Sequence, residues 1–159
     1  MSNAGNETNE HAKARLEQKK RVPATLQLTL PLPPSINEQY ATVDGHRVST
    51  VVARRFKRQV QDAVRELERQ GTLSDDLRSY FRQGYLALSL DFYFETPLKR
   101  DLDGGLKITQ DAVCESLGLN DNRVVDIHLS KHIDPLHPHL SLELEAISDW
   151  QFDKEYVVL

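Results

Sequence analysis

Between residues 26 and 30 apolar and polar side chains alternate strictly, Leu26-Gln27-Leu28-Thr29-Leu30, the two-residue period of a half-buried strand. Pro31, Pro33 and Pro34 then remove backbone donors and end it. From residue 51 the period changes. Val52, Phe56, Val60, Ala63, Val64 and Leu67 recur at three- and four-residue spacings, which predicts a helix over 51–70 that Gly71 stops. Residues 72–83 are mixed and predict a short helical turn around Leu77 to Phe81. The two-residue period returns from Tyr85 to Phe94, with Leu86, Leu88, Leu90, Phe92 and Phe94 on one face. Beyond Pro97 the spacing predicts a second helix over about Gly104 to Leu117, with Asp103 at the N-cap position and Gly118 as the stop. Val124 to Ile133 is a third strand. The pairs Asp134-Pro135 and His137-Pro138 make a turn, and Leu140, Leu142, Leu144 and Ala146 mark a fourth strand, expected to pair antiparallel with the third. The order β-α-β-α-β-β predicts a single α+β domain over 23–147, a mixed or antiparallel sheet of about four strands with two main helices. Residues 1–22 carry no sustained apolar period and are expected to form a flexible tail, as is 148–159, with Trp150, Phe152 and Tyr156.

Composition narrows the classes open to such a domain. At 159 residues, 39% hydrophobic and 28% charged, the chain is neither collagen-like nor mucin-like nor wholly disordered. No apolar run approaches the roughly 18 residues of a membrane span. Met1 to Glu10 is polar with two acids, unlike a secretory signal, and the single cysteine, Cys114, can make neither an internal disulfide nor a thiolate metal site. A cytoplasmic, reducing compartment is therefore expected. The net charge of -4 hides a division: residues 11–70 hold twelve Lys and Arg against six acids, whereas residues 71–159 are strongly acidic. A basic half and an acidic half suit a polyanion-binding surface beside a cation-binding site.

The candidate chemistry lies in Lys99-Arg100-Asp101-Leu102-Asp103-Gly104-Gly105-Leu106-Lys107 and on to Asp111. Asp101 and Asp103, two apart in extended backbone, point to the same side. Two carboxylates about 4 Å apart repel by roughly 4 kcal/mol at an effective dielectric of 20, so the pair calls for a cation, a shared proton or good solvation. Mg²⁺ suits such a pair, because it takes one or two carboxylates and keeps water for a phosphate substrate. Asp103, Lys107 and Asp111 follow at four-residue spacing, one ridge of a helix, with Lys107 placed to meet a phosphate oxygen or a leaving group. Gly104 and Gly105 let a phosphate backbone come close. Asp121, just before the third strand, is a third acid, able to join the pair if that strand runs beside the one ending near Pro97. Singly, each residue has a simpler role: Asp103 as an N-cap, Lys107 with Asp111 as an ion pair, Asp121-Asn122 as a turn. Together they point to a metal-phosphate site. His128, His132, His137 and His139 show no recognised zinc-ligand spacing.

Over roughly residues 25–146 the chain resembles the RusA family of Holliday junction resolvases, which are crossover junction endodeoxyribonucleases. Pro33-Pro34-Ser35-Ile36-Asn37 is similar to the family's Pro-Pro-Ser-x-Asn segment after its first strand. Arg100-Asp101-Leu102-Asp103 with Leu106-Lys107 and Asp111-Ala112 is similar to its Asp-x-Asp-Asn-x-x-Lys core and following helix. Asn120-Asp121-Asn122-Arg123-Val124 is similar to its Asp-Asp-x-Gln-Val turn, and Lys131 to a lysine in the strand after it. The resemblance implies catalytic, metal-holding aspartates at Asp101, Asp103 and Asp121, a catalytic Lys107, Mg²⁺, a homodimer, and paired nicks in four-way junction DNA. Gly104 stands where the family has Asn, and Asn120 replaces the first acid of the third block. Arg47, Arg54, Arg55, Lys57, Arg58 and Lys131 are the candidates for DNA contact. Two alternatives share these residues: a DNA-binding module of the same fold without cleavage, and a metal-dependent nuclease for other branched DNA.

Overall fold

Strand β1 (Thr25–Leu30) buries Leu26, Leu28 and Leu30 and exposes the residues between them, as its alternation requires. The computed structural model describes residues 24–147; the expected tails at 1–22 and 148–159, and residue 23, lie outside the described residues. After the prolines come a one-turn helix, α1 (Ile36–Gln39), and an antiparallel hairpin, β2 (Tyr40–Val43) with β3 (His46–Ser49). The hairpin turns through Asp44 and Gly45, both at positive φ. Its two strands are almost wholly exposed, so no buried face imposes a two-residue alternation, and the apolar pattern does not reveal them.

Helix α2 (Val51–Arg69) starts where the Thr50 hydroxyl accepts from the Ala53 N–H at 3.2 Å. Its buried stripe is Ala53, Phe56, Val60 and Val64; Val52, expected on that stripe, is half exposed. The segment expected as a short turn is a nine-residue helix, α3 (Asp75–Gln83), capped by the Ser74 hydroxyl and anchored by buried Phe81. Two aspartates in its first turn favour that helix through its dipole. Strand β4 (Tyr85–Phe94) buries Leu86, Leu88, Leu90, Phe92 and Phe94. Helix α4 (Leu106–Leu117) ends at Gly118, whose φ of 67° lets the Leu119 N–H reach back to the Cys114 carbonyl at 2.8 Å.

Strands β5 (Val124–Ile133) and β6 (His139–Ile147) complete a four-stranded sheet ordered β1-β6-β4-β5. The α+β class with a mixed sheet of four strands is as expected. The pairing of the last two strands is not: β5 runs parallel to β4, and β6 lies antiparallel between β4 and β1. Leu140, Leu142 and Leu144 of the central β6 are almost wholly buried, as are the leucines of edge strand β1, whereas β5, the other edge, is mostly exposed. Asp134 makes the crossing possible: its N–H donates to the Phe94 carbonyl, and its carboxylate accepts from the Leu136 and His137 N–H groups. The parallel β4–β5 pair needs a crossover, and α4 supplies it. The loop entering α4 and the turn leaving it are where the candidate acids lie.

Candidate active site

The loop between β4 and α4 is held from three sides. Lys131, on β5, donates its ammonium to the Pro97 and Arg100 carbonyls at 3.1 and 2.7 Å. Arg100 donates to the Pro33 carbonyl at 2.5 Å and lies 3.6 Å from the Glu38 carboxylate. The buried Gln39 amide donates to both the Pro34 and Gly104 carbonyls, at 3.1 and 3.0 Å. Gly105 lies so close to Pro33 that a Cβ there would stand 2.4 Å from the ring Cγ. The block Pro33 to Gln39 and the block Arg100 to Gly105, about 65 residues apart in the chain, thus form one packed unit. Glu38 closes it: its carboxylate accepts from the Ser35 N–H and hydroxyl, both at 3.0 Å, and these bonds, with the nearby Arg100, hold its pKa below the usual carboxylate value.

Within this loop the Gly104 N–H meets the Asp101 carbonyl at 3.4 Å, and the Leu106 N–H meets that of Asp103 at 3.1 Å. These turns delay the helix. Its N-cap is Gly105, not Asp103 as expected, and it starts at Leu106, not Gly104. The Asp103 carboxylate is therefore free of any capping bond. Asp101 and Asp103 are both exposed, and neither side chain has a hydrogen-bond or ion-pair partner among the described residues.

One turn further on, Lys107 places its ammonium between two carboxylates, 2.7 Å from Asp111 Oδ1 and 2.8 Å from Asp121 Oδ2. β5 does run beside β4, but in parallel, with Val124 opposite Leu86, so Asp121 enters at the start of β4 and not at its Pro97 end; the 3-10 turn Asp121–Arg123 folds back on α4, where Gln110 donates to the Asp121 carbonyl at 3.4 Å. The Asn120 side chain caps that turn by accepting from the Asn122 N–H. The two ion pairs raise the Lys107 pKa, the hydrogen bond to Asp111 contributing most. The bond from Lys107 lowers that of Asp121. Behind them the Cys114 thiol is pushed up to about 11, chiefly by burial and then by the charges of Asp121 and Asp111, and so is a poor nucleophile.

Asp101, Asp103 and Asp121 are the acids expected around one ion. No three His, Cys, Asp or Glu residues among the described residues form a metal-binding group, and the Asp121 carboxylate is engaged with Lys107. The donor chemistry nevertheless fits a hard divalent cation. All the groups are carboxylate oxygens, two of them lack any partner among the described residues, and the Lys107 ammonium stands where a cation meets two more.

The candidate DNA contacts divide into two sets. Arg47 lies over the Tyr40 ring at 3.9 Å, and Arg54 donates to the Ser49 carbonyl. With Arg55, Lys57 and Arg58 they have no carboxylate partner among the described residues, unlike Arg65 and Arg69 further along α2. Thr50 ties this basic region to α1, its hydroxyl donating to the Glu38 carbonyl at 2.6 Å. Lys131 is different, since its ammonium is engaged with the loop carbonyls. Sequence patterning gives no sign of Gln39 or of the clamp role of Arg100. Only the Ser35-x-x-Glu38 capping box hints at structure there.

Among the described residues no helix is long and apolar enough to cross a membrane. No protein-family model matches the chain, and no curated protein matches its sequence.

Proposed function

We propose that the chain is a Mg²⁺-dependent endodeoxyribonuclease, similar to the RusA family, that resolves four-way DNA junctions by paired phosphodiester hydrolysis in recombination and repair. The observation that carries this reading is the meeting of the three blocks that bear the resemblance. Pro33 packs on Gly105, Arg100 bonds the Pro33 carbonyl, and Lys107 bonds Asp121.

In this reading Asp101, Asp103 and Asp121 hold the ion. Bound Mg²⁺ supplies charge neutralisation at the phosphate and a water of lowered pKa. Lys107 stays protonated at neutral pH and offers a positive charge to the phosphate oxygens or the departing oxygen. Asp121 stays ionised beside it. Arg47, Arg54, Arg55, Lys57 and Arg58 contact the DNA backbone. Arg54 lies in the first turn of α2, where a cation opposes the helix dipole at a cost of about 0.3–1 kcal/mol; a polyanion partner would offset that cost. Lys131 acts on DNA through the loop that it holds. A homodimer would place one site at each opposed strand of a junction that is itself nearly two-fold. The location that goes with this activity is the cytoplasm, at the nucleoid.

The test is cleavage of a four-way junction with and without Mg²⁺, beside a flap and a plain duplex. Symmetric nicks that need Mg²⁺ and favour the junction are expected. Asp103→Asn should lose nicking and keep junction binding. Equal rates on all three substrates would remove junction selectivity, and a protein that binds the junction but never nicks it would be a binding module.

A further inference from the structure

Beside the acid loop, and outside the groups assigned to hydrolysis, lies a cavity of about 290 Å³. One wall is the Pro33–Asn37 block, for which the proposed chemistry has no use. The other is the loop from Leu98 to Asp101, and Phe92 and Phe94 form the floor. We infer that this cavity receives one unstacked nucleobase of the DNA strand, next to the phosphate at Asp101, and discriminates among bases through Asn37. The inference rests on the nuclease reading for its substrate and deepens it by assigning a base-reading site.

The size comes first. Pockets for drug-sized ligands run from roughly 300 Å³ upward, so this one suits a single flat group rather than a larger molecule. The lining comes next. The buried rings of Phe92 and Phe94 are stacked with centroids 5.8 Å apart. Two aliphatic side chains stand at the mouth on opposite walls, Ile36 at 62% and Leu98 at 95% exposure. The Phe rings close the bottom almost without exposed surface, so Ile36 and Leu98 are the side chains that offer apolar contact to the faces of a base, whose transfer from a stack costs a few kcal/mol, among the polar walls of Ser35, Glu38 and Arg100. Gly105 lines the same cavity, with room for a Cβ at ordinary contact distance from Phe92 Cε1, 3.4 Å, but not beside Pro33.

The polar groups make the site selective. The carboxamide of Asn37 is exposed on the wall and has no hydrogen-bond partner among the described residues. An amide with both a donor and an acceptor can read a base edge, and a good two-bond match discriminates by a factor of about 5 to 150. Lys99 stands on the rim in an exposed pair with Glu95 at 3.3 Å, weak enough for its ammonium to turn to a phosphate. Asp101 lines the same cavity, which puts the bound base within a nucleotide of the candidate hydrolytic site.

Two measurements on the full chain test this. In the first, each of the four deoxynucleoside monophosphates is titrated without metal while the Asn37 side-chain amide and the Gly104 and Gly105 backbone amides are followed by NMR. Deoxyribose 5-phosphate serves as the control without a base. Shifts at these amides with the nucleotides, affinities differing at least about fivefold among bases, and loss of that spread in Asn37→Ala are expected. Equal shifts with the control, or none at millimolar nucleotide, would overturn the inference. In the second, junctions varied at the base beside the nick are cleaved in Mg²⁺. The wild type should prefer one base, and Asn37→Ala should flatten the preference to within about twofold. Cleavage without any base preference would overturn the pocket and leave the nuclease reading standing. Base-selective binding without cleavage would uphold the pocket and overturn the nuclease.

Discussion

Gly105→Ala is the sharpest test of how the site is built. The added Cβ would stand 2.4 Å from Pro33 Cγ, 3.3 Å from Pro33 Cβ and 3.4 Å from Phe92 Cε1. Carbon atoms at their best separation lie about 3.5–4.0 Å apart, so the first contact is more than about 1 Å too short. Pro33 is a buried ring with little freedom beyond its pucker, and its neighbour Pro34 is clamped by Gln39, so backbone must move. Overpacking of this kind costs about 1–3 kcal/mol. Alanine would recover about 0.4–1 kcal/mol by restricting the unfolded chain. Gly105 is also the N-cap of α4, where alanine is poorer than glycine, which removes part of that gain. The net expectation is a loss of about 1–2 kcal/mol, or a fall in Tm of about 2–8 °C at this chain length. Gly104→Ala is the control. Its Cβ would meet only the Asp101 carbonyl oxygen, at an ordinary 3.5 Å, so its stability should match or slightly exceed that of the wild type. Urea unfolding of the three proteins, with the slopes compared, gives the numbers. If Gly105→Ala proves as stable as Gly104→Ala, the close packing of Pro33 on the acid loop is wrong, and the convergence of the blocks loses its main physical support.

Other expectations follow from the same geometry. The Lys107–Asp121 pair should add stability that is level across the neutral range. The Asp121 part holds above the ordinary carboxylate value of 3.8 and goes as pH falls through its lowered pKa; the Lys107 part holds below 10.5 and goes as pH rises through its raised one. The stability gap between wild type and Lys107→Met, followed by unfolding against pH, should therefore shrink at both extremes, and a gap that widens in acid would contradict the pair. Thr109 is fully buried and donates its hydroxyl to the Gly105 carbonyl at 2.7 Å, so Thr109→Val should cost about 1 kcal/mol in denaturant unfolding. The buried Cys114 thiol, raised to about 11, should resist a thiol reagent at about pH 8 until the protein is unfolded; rapid labelling of the native state would show that α4 opens locally.

Much of this molecule is legible in its amino-acid pattern. Strict alternation locates β1, β4 and β6, because a strand with one buried face repeats every two residues. The three- and four-residue spacing locates α2 for the matching reason in a helix. The four-residue spacing of Lys107 and Asp111 foretells their ion pair, since a helix sets which residues share a face; Asp103 lies in the turns before the helix starts, where spacing does not decide this. Pairing is another matter. Nothing local says that β6 passes over β4 to lie beside β1, because both strands carry the same alternating buried leucines and the pairing joins segments distant in the chain. The exposed hairpin β2–β3 leaves no apolar trace. The clamp of Gln39 and Arg100, the packing of Pro33 on Gly105, and the turning of Asp121 to Lys107 all join residues distant in the chain. Periodicity records which way a side chain faces. Which distant segment it then meets is decided only when the whole core closes.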